Sequence, residues 1–291
     1  MEGDAVFGVL GGLEGEPGSV PALRLMGGVH RLVLAGEAPD LTPPDAWPTF
    51  LDILREHRDE LRELAERPVQ TNETARCAAL LGGFLEIARV TGQPLRLLEV
   101  GASAGLNLAF DRYRYELGDE RWGPEGSPVT IRAALTGRPP LETPLEVASR
   151  SGCDARPLDP RSHEDRLTLC SYVWADQAER LARLRAALEL AAEAGILVER
   201  ARAAEWVEVQ LRAEAPGVTT VVFHSIVMQY LPSEERERFE HAVRTAHGDV
   251  AWLRMESVDE LTDVRLTLFP GGEERLIARA GYHGDPVIWA G

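Results

Sequence analysis

Apolar residues recur along this chain with two different periods, and the change falls near Leu95. Before it, Phe50, Leu51, Leu54, Leu61 and Leu64 stand at helical spacing with charged residues on the other face. Asp45 and Pro48 are start signals for that helix, and Arg67-Pro68 ends it. A shorter helical run, Leu23–Leu34, precedes it across the Pro- and Asp-rich loop Ala38–Pro44. Gln70-Thr71-Asn72-Glu73 then leads into a further helix, Thr74–Val90, with Thr71 or Asn72 as its N-cap, and Thr91-Gly92-Gln93-Pro94 stops it. The pattern predicts a helical, substrate-covering unit over residues 1–94.

From Leu95 the apolar runs shorten. Strands are expected at 95–100, 145–151, 196–200, 218–223, 250–255, 264–269 and 274–280. Helices are expected between most of them, best marked at Asp176–Ala192 and Ser233–Ala246. Pro270-Gly271-Gly272 joins the last two strands as a hairpin. Residues 95–291 therefore predict an α/β domain whose mostly parallel, seven-stranded sheet ends in an antiparallel hairpin. Residues 111–144, rich in Arg, Gly and Pro, read as an insertion.

The first strand runs into Gly101-Ala-Ser-Ala-Gly105 and then a helical stretch, which is how α/β proteins build a ligand site at a strand's carboxyl end. Two readings compete. Gly101-x-Ser103-x-Gly105 satisfies the serine-hydrolase elbow, but almost nothing before Leu95 reads as strand and no His-Gly-Gly oxyanion motif exists. As a nucleotide-type pocket, the same stretch offers Glu99 to an ammonium group and two glycines for close backbone approach. The next strand leads to Asp154, a carboxylate placed to bind two ribose hydroxyls. A nicotinamide dinucleotide is disfavoured, because its acid should lie about 20 residues beyond the glycines.

Composition narrows the partners. All 31 basic residues are arginine, and 47 acidic residues bring the net charge to −16. Such a surface repels nucleic acid and anionic lipid, so a small-molecule partner is expected. Cys77, Cys153 and Cys170 are widely spaced and odd in number, with no C-x-x-C pair, so neither a metal site nor a redox dithiol is expected. No signal peptide or membrane span is visible, and a cytoplasmic location is expected. Oligomeric state has no signature.

The chain resembles a bacterial domain-of-unknown-function family, number 2332, whose sequences are similar to class I S-adenosylmethionine-dependent methyltransferases. The blocks that carry the resemblance are Arg67–Glu73, Leu97–Leu108, Asp111–Tyr115, Gly152–Asp154 with Pro157–Asp159, Trp174–Gln177, His224–Leu231 and Ala280–Pro286. It implies a Rossmann-like methyltransferase fold with S-adenosylmethionine as cofactor. Glu99, Gly101, Ser103 and Gly105 would line the donor's methionine part, and Asp154 its ribose. The resemblance also expects an acid for the adenine amino group in Ala201–Trp206, where Glu205 is the nearest.

The fourth strand ends at His224-Ser225, where a base would face the methyl group. His224 and Tyr230 are the candidate catalytic residues, and Gln70, Asn72, Glu73, Gln177 and Gln229 the candidate contacts to a small acceptor. Trp174 is expected to pack as core, and Tyr282, His283 and Asp285 to form a loop turn. Besides the methyltransferase, a hydrolase using Ser103 and a non-catalytic ligand-binding module stay open.

Overall fold

The computed structural model describes residues 20–41 and 44–291, so the expected start of the helical unit and part of the loop at 38–44 lie outside the described residues. In chain order the described helices are α1 (Pro21–Ala35), α2 (Ala46–Glu56), α3 (Arg58–Glu66), α4 (Cys77–Thr91), α5 (His163–Ser171), α6 (Ala178–Glu193), α7 (Ala203–Arg212) and α8 (Ser233–Arg244). The strands are β1 (Leu95–Val100), β2 (Arg114–Leu117), β3 (Glu120–Trp122), β4 (Thr130–Ala133), β5 (Leu135–Thr136), β6 (Val147–Asp154), β7 (Val198–Arg200), β8 (Thr219–Ser225), β9 (Val250–Val258), β10 (Leu261–Phe269), β11 (Arg275–Ala280) and β12 (Val287–Trp289).

Two compact units divide the chain: Met1–Thr71 with Arg161–Arg185, and Asn72–Pro160 with Ala186–Gly291. The first is helical. Leu25, Val29 and Leu32 of α1 bury against Phe50, Ile53 and Leu54 of α2 and Leu61 of α3. The long helix expected here breaks at His57, which leaves helical geometry (φ −109°, ψ 26°). The apolar stripe is kept, because Leu54 and Leu61 stay buried on either side of the break.

The second unit holds a nine-stranded sheet in the order β7-β6-β1-β8-β9-β10-β11-β12-β5. Strands β7 through β9 run parallel, β10 is antiparallel to both its neighbours, and β12 is antiparallel to β11. The central strand β8, Thr-Thr-Val-Val-Phe-His-Ser, is buried along its whole length, as a parallel strand covered on both faces must be. The seven expected strands are all present. The two more that widen the sheet, β5 and β12, are two and three residues long, too short to show a period. Residues 111–144 contain a separate three-stranded sheet, β3-β2-β4, as well as β5.

The boundary expected at residues 94 and 95 falls inside this second unit. Helix α4 belongs with the sheet, being buried all round from Cys77 to Ala88. Gly82 and Gly83 let it lie close: a Cβ there would stand 2.5 Å from the Trp289 ring and 2.4 Å from a Leu253 methyl.

Strand order reverses between β1 and β8, since β6 and β7 lie to one side and β9 to the other. Ligands of open α/β sheets bind at such a switch point, outside the carboxyl ends of the strands. β11 is antiparallel to β10, which is antiparallel to β9, so its carboxyl end lies on that same edge.

Candidate functional site at the carboxyl edge of the sheet

Three segments meet beyond β1 and β8. After β1, Gly101 and Gly105 take φ values of 69° and 74°. Both positions also lack room for a side chain: a Cβ on Gly101 would stand 2.5 Å from Val227 Cγ2, and one on Gly105 2.7 Å from Ile196 Cγ2. Ser103 between them has φ 54° without being glycine. After β8, Ile226 has φ 56°. Left-handed geometry at a β-branched residue is rare, and such strain concentrates where a binding site over-determines the backbone.

The glycine turn is held from two sides. Asn72 Oδ1 accepts from the amides of Ala104 (3.2 Å) and Leu106 (3.1 Å). Asp154 Oδ2 accepts from the Ser103 amide at 2.9 Å, and its Oδ1 from Arg156 at 2.8 Å. The Ser103 carbonyl in turn accepts from Leu158. Asn72, Ser103 and Asp154 are thus brought together. Asn72 is not a helix cap; the N-cap is Glu73, whose Oε1 accepts from the Ala75 amide at 3.0 Å and opens the 3-10 turn Thr74–Arg76.

Glu99 sits beneath the turn with only 2% of its surface exposed. Its Oε1 accepts from Asn107 Nδ2 at 3.2 Å, and Asn107 Oδ1 accepts from Cys77 Sγ at 3.3 Å. The order of these bonds requires a protonated thiol, and burial followed by the nearby Glu99 pushes the Cys77 thiol well up. Glu99 Oε2 and Ser103 Oγ are buried with no hydrogen-bond partner. Burial pushes the Glu99 carboxyl well above its usual range; the Asn107 bond opposes this, Asp154 adds to it and Arg76 opposes it. A buried polar atom without a partner costs about 1–3 kcal/mol, which a ligand group placed there would recover.

His224 is 0% exposed and fully engaged. Trp252 Nε1 is a donor only, so His224 Nε2, 3.1 Å away, must be the acceptor. The ring proton is then on Nδ1, which donates to Glu256 Oε1 at 2.7 Å. Glu256 Oε1 also accepts from the amides of Val227 (3.0 Å) and Met228 (3.3 Å). Burial alone would raise the Glu256 carboxyl, but these bonds outweigh it and hold it below its usual range.

The remaining candidates are dispersed. Gln229 and Tyr230 are exposed past β8, Tyr230 by 68%. Glu205 lies on α7, 57% exposed and 3.8 Å from Arg238. Arg202, beside it, pairs with Glu235 at 2.9 Å. Gln70 and Gln177 belong to the helical unit, where Gln177 Oε1 accepts from Arg180 at 2.9 Å in the turn that starts α6. Trp174 in that turn is exposed rather than packed as core. The helical unit has its own cavity between Gly27, His30 and Tyr172, but at about 20 Å³ it has room for little more than a water.

Arg76 and Asn107 were missing from the expected site. Arg76 donates to the Ser225 carbonyl (3.2 Å) and the Tyr282 carbonyl (3.1 Å), joining the ends of β8 and β11. Tyr113 and Tyr115 donate to the carbonyls of Leu106 and Phe110, and Arg150 clamps Asp111 with two bonds at 2.8 and 3.0 Å. The Asp111–Tyr115 block thereby latches the segment that carries Asn107. Among the described residues, no group of three or more His, Cys, Asp or Glu could hold a metal ion, and no helix is long and apolar enough to cross a membrane. All three cysteines are free and buried.

Fold and site together define a mixed α/β protein on a large, mostly parallel sheet, with two buried polar atoms lacking partners, Glu99 Oε2 and Ser103 Oγ, at the carboxyl end of β1. The family described as "Uncharacterized protein conserved in bacteria", domain of unknown function 2332, matches residues 4–289, and the chain belongs to it. No curated protein and no solved structure matches it.

Proposed function

We propose that this chain is a cytoplasmic enzyme of Rossmann-like, class I methyltransferase kind that binds S-adenosylmethionine at the carboxyl edge of β1 and methylates a small molecule. The observation that carries the reading is Glu99 Oε2, buried without a partner at the switch point of the sheet. An ammonium group such as that of the donor's methionine part would hold the Glu99 carboxyl in its ionised form and so satisfy this atom, with Ser103 Oγ as a second contact. Asp154 has a spare lone pair on each oxygen for ribose hydroxyls, at the end of the strand next to β1. Gly101 and Gly105 supply the left-handed turn that folds the chain tightly over the end of β1, against Val227 and Ile196. A net charge of −16 favours a cationic donor.

The fit is weaker at the adenine end, where Glu205 is exposed and faces Arg238 instead of a pocket. Bound there, the sulfonium would supply an electrophilic methyl group; the chain supplies position and charge. His224 holds the loop after β8 through Glu256, so its contribution is to positioning.

Titration calorimetry with S-adenosylhomocysteine tests the reading. Binding is expected, weakened about tenfold (1.4 kcal/mol) in Glu99→Ala. No heat at millimolar ligand would overturn it. A serine hydrolase is the second reading, favoured by the left-handed Ser103 inside Gly-x-Ser-x-Gly. Ser103 Oγ has no imidazole on it, however, so nothing activates it as a nucleophile. Fluorophosphonate labelling lost in Ser103→Ala would replace the methyltransferase reading with this one.

A further inference from the structure

With both nitrogens of His224 engaged, the carboxyl edge needs another group if a proton has to be removed there. One imidazole on that edge is built differently. His283 follows β11, its side chain is 63% exposed, and its Nδ1 lies 3.5 Å from Oε2 of Glu73. Glu73 is itself 5% exposed, and its other oxygen is fixed by the Ala75 amide. A carboxylate facing one ring nitrogen favours the Nδ1–H tautomer of an imidazole. Nε2 is then the ring nitrogen left to accept a proton, on a side chain that solvent reaches.

The pair is tied to the rest of the site by the backbone around it. Gly284, at φ 84°, passes so close to the 3-10 turn that a Cβ there would stand 2.1 Å from the Ala75 carbonyl oxygen. Arg76 bonds the Tyr282 carbonyl on one side and the Ser225 carbonyl at the end of β8 on the other. Asn72, the residue before Glu73, holds the glycine turn. The five residues Asn72–Arg76 therefore fasten the His283 loop to both central turns.

We infer that His283, oriented by Glu73, is the proton acceptor of this site, and that its substrate is a small molecule whose nucleophilic atom carries a proton: a hydroxyl, a thiol or an ammonium group. His283 Nε2 takes that proton, Glu73 balances the imidazolium, and the exposed ring returns the proton to water. A bound sulfonium donor would supply the methyl group to the lone pair so freed and would keep the carbon–sulfur electron pair on sulfur; the chain's own part is the proton transfer at His283. The substrate class rests on the methyl-transfer reading; the histidine–glutamate pair does not.

The pair can be tested without any ligand. Nitrogen-15 NMR of the neutral His283 ring is expected to show a protonated Nδ1 and a bare Nε2; the reverse tautomer would overturn the inference. Diethyl pyrocarbonate, followed by mass spectrometry, is expected to modify His283 faster than His163 and His247, which are also exposed. Glu73→Gln is expected to slow His283 severalfold and leave those two unchanged. A His283 rate indifferent to Glu73→Gln would overturn the inference, and if that variant fails to fold the wild-type tautomer decides. Failure to bind S-adenosylhomocysteine would remove the donor and leave this pair standing, so the two ideas fail separately.

Discussion

The turns after β1 and after β8 sit side by side at the same switch point, and both force a non-glycine residue into left-handed geometry, Ser103 in one and Ile226 in the other. Their polar groups are treated in opposite ways. Behind the β8 turn, Trp252, His224, Glu256 and the amides of Val227 and Met228 form a closed run in which each ring nitrogen has a partner. Behind the β1 turn, the run Cys77–Asn107–Glu99 stops at an oxygen with nothing on it, and Ser103 Oγ is equally bare. One turn is a completed support. The other is incomplete until something binds, which separates a residue that positions from one that contacts.

The strongest way to break the comparison is at the point where the turns touch. Gly101→Ala puts a Cβ 2.5 Å from Val227 Cγ2 and imposes φ 69° on an L-residue. Strain and overpacking together are expected to cost about 3 kcal/mol, read as a lower urea midpoint at unchanged m-value. A loss within experimental error would mean that the β8 turn yields, and that it is no rigid support.

Much of this geometry was legible in the sequence. β1 has its expected limits because Pro94 and Gly101 bracket it; Glu99 and Asp154 stand out in the sequence at strand ends, and Ser103 between two glycines. What failed needed tertiary partners. Helical spacing over 74–90 shows that a helix forms, not what it packs on, so the pattern alone places α4 with the helical unit although Gly82-Gly83 marks a close approach. A local reading of Asn72 sees a cap, whereas its acceptor is used 32 residues away. His224 at a strand end looked ready to face a ligand, but Trp252 and Glu256, which occupy its nitrogens, come from the neighbouring β9 and leave no trace in the local pattern. Arg76 leaves no local signal, because it donates to carbonyls far along the chain.

The two glutamates sharpen the contrast through pH. Glu99 is raised by burial, so its stabilising contribution is complete below the unfolded value of about 4.3 and is lost as pH climbs toward the folded value. Glu256 is lowered by its bonds against burial, so its contribution is present above about 4.3 and is lost as pH falls toward the folded value. Measured against wild type by urea denaturation, Glu99→Gln should gain as pH rises from acid to neutral. Glu256→Gln should be worse by about 1–2 kcal/mol at neutral pH, with the deficit shrinking in acid. Parallel pH trends for the two variants would dissolve the distinction between an open and a closed support.

The smallest effect is expected where a third loop, after β7, would have to read adenine. Glu205 is 57% exposed, and its partner Arg238 is already held by Glu208 through bonds of 2.7 and 2.8 Å. Removing the Glu205 charge therefore strands no partner, and exposed ion pairs of this kind are worth about 0–1 kcal/mol. Glu205→Gln should leave the urea midpoint and the S-adenosylhomocysteine affinity almost unchanged, while Glu99→Ala in the same titration weakens binding. Recognition would then rest on the β1 turn and Asp154, with the purine held by shape and apolar contact. A tenfold loss in Glu205→Gln would instead mean that the α7 carboxylate turns from Arg238 to the ligand, and that the open support extends across β6 to the sheet's edge strand.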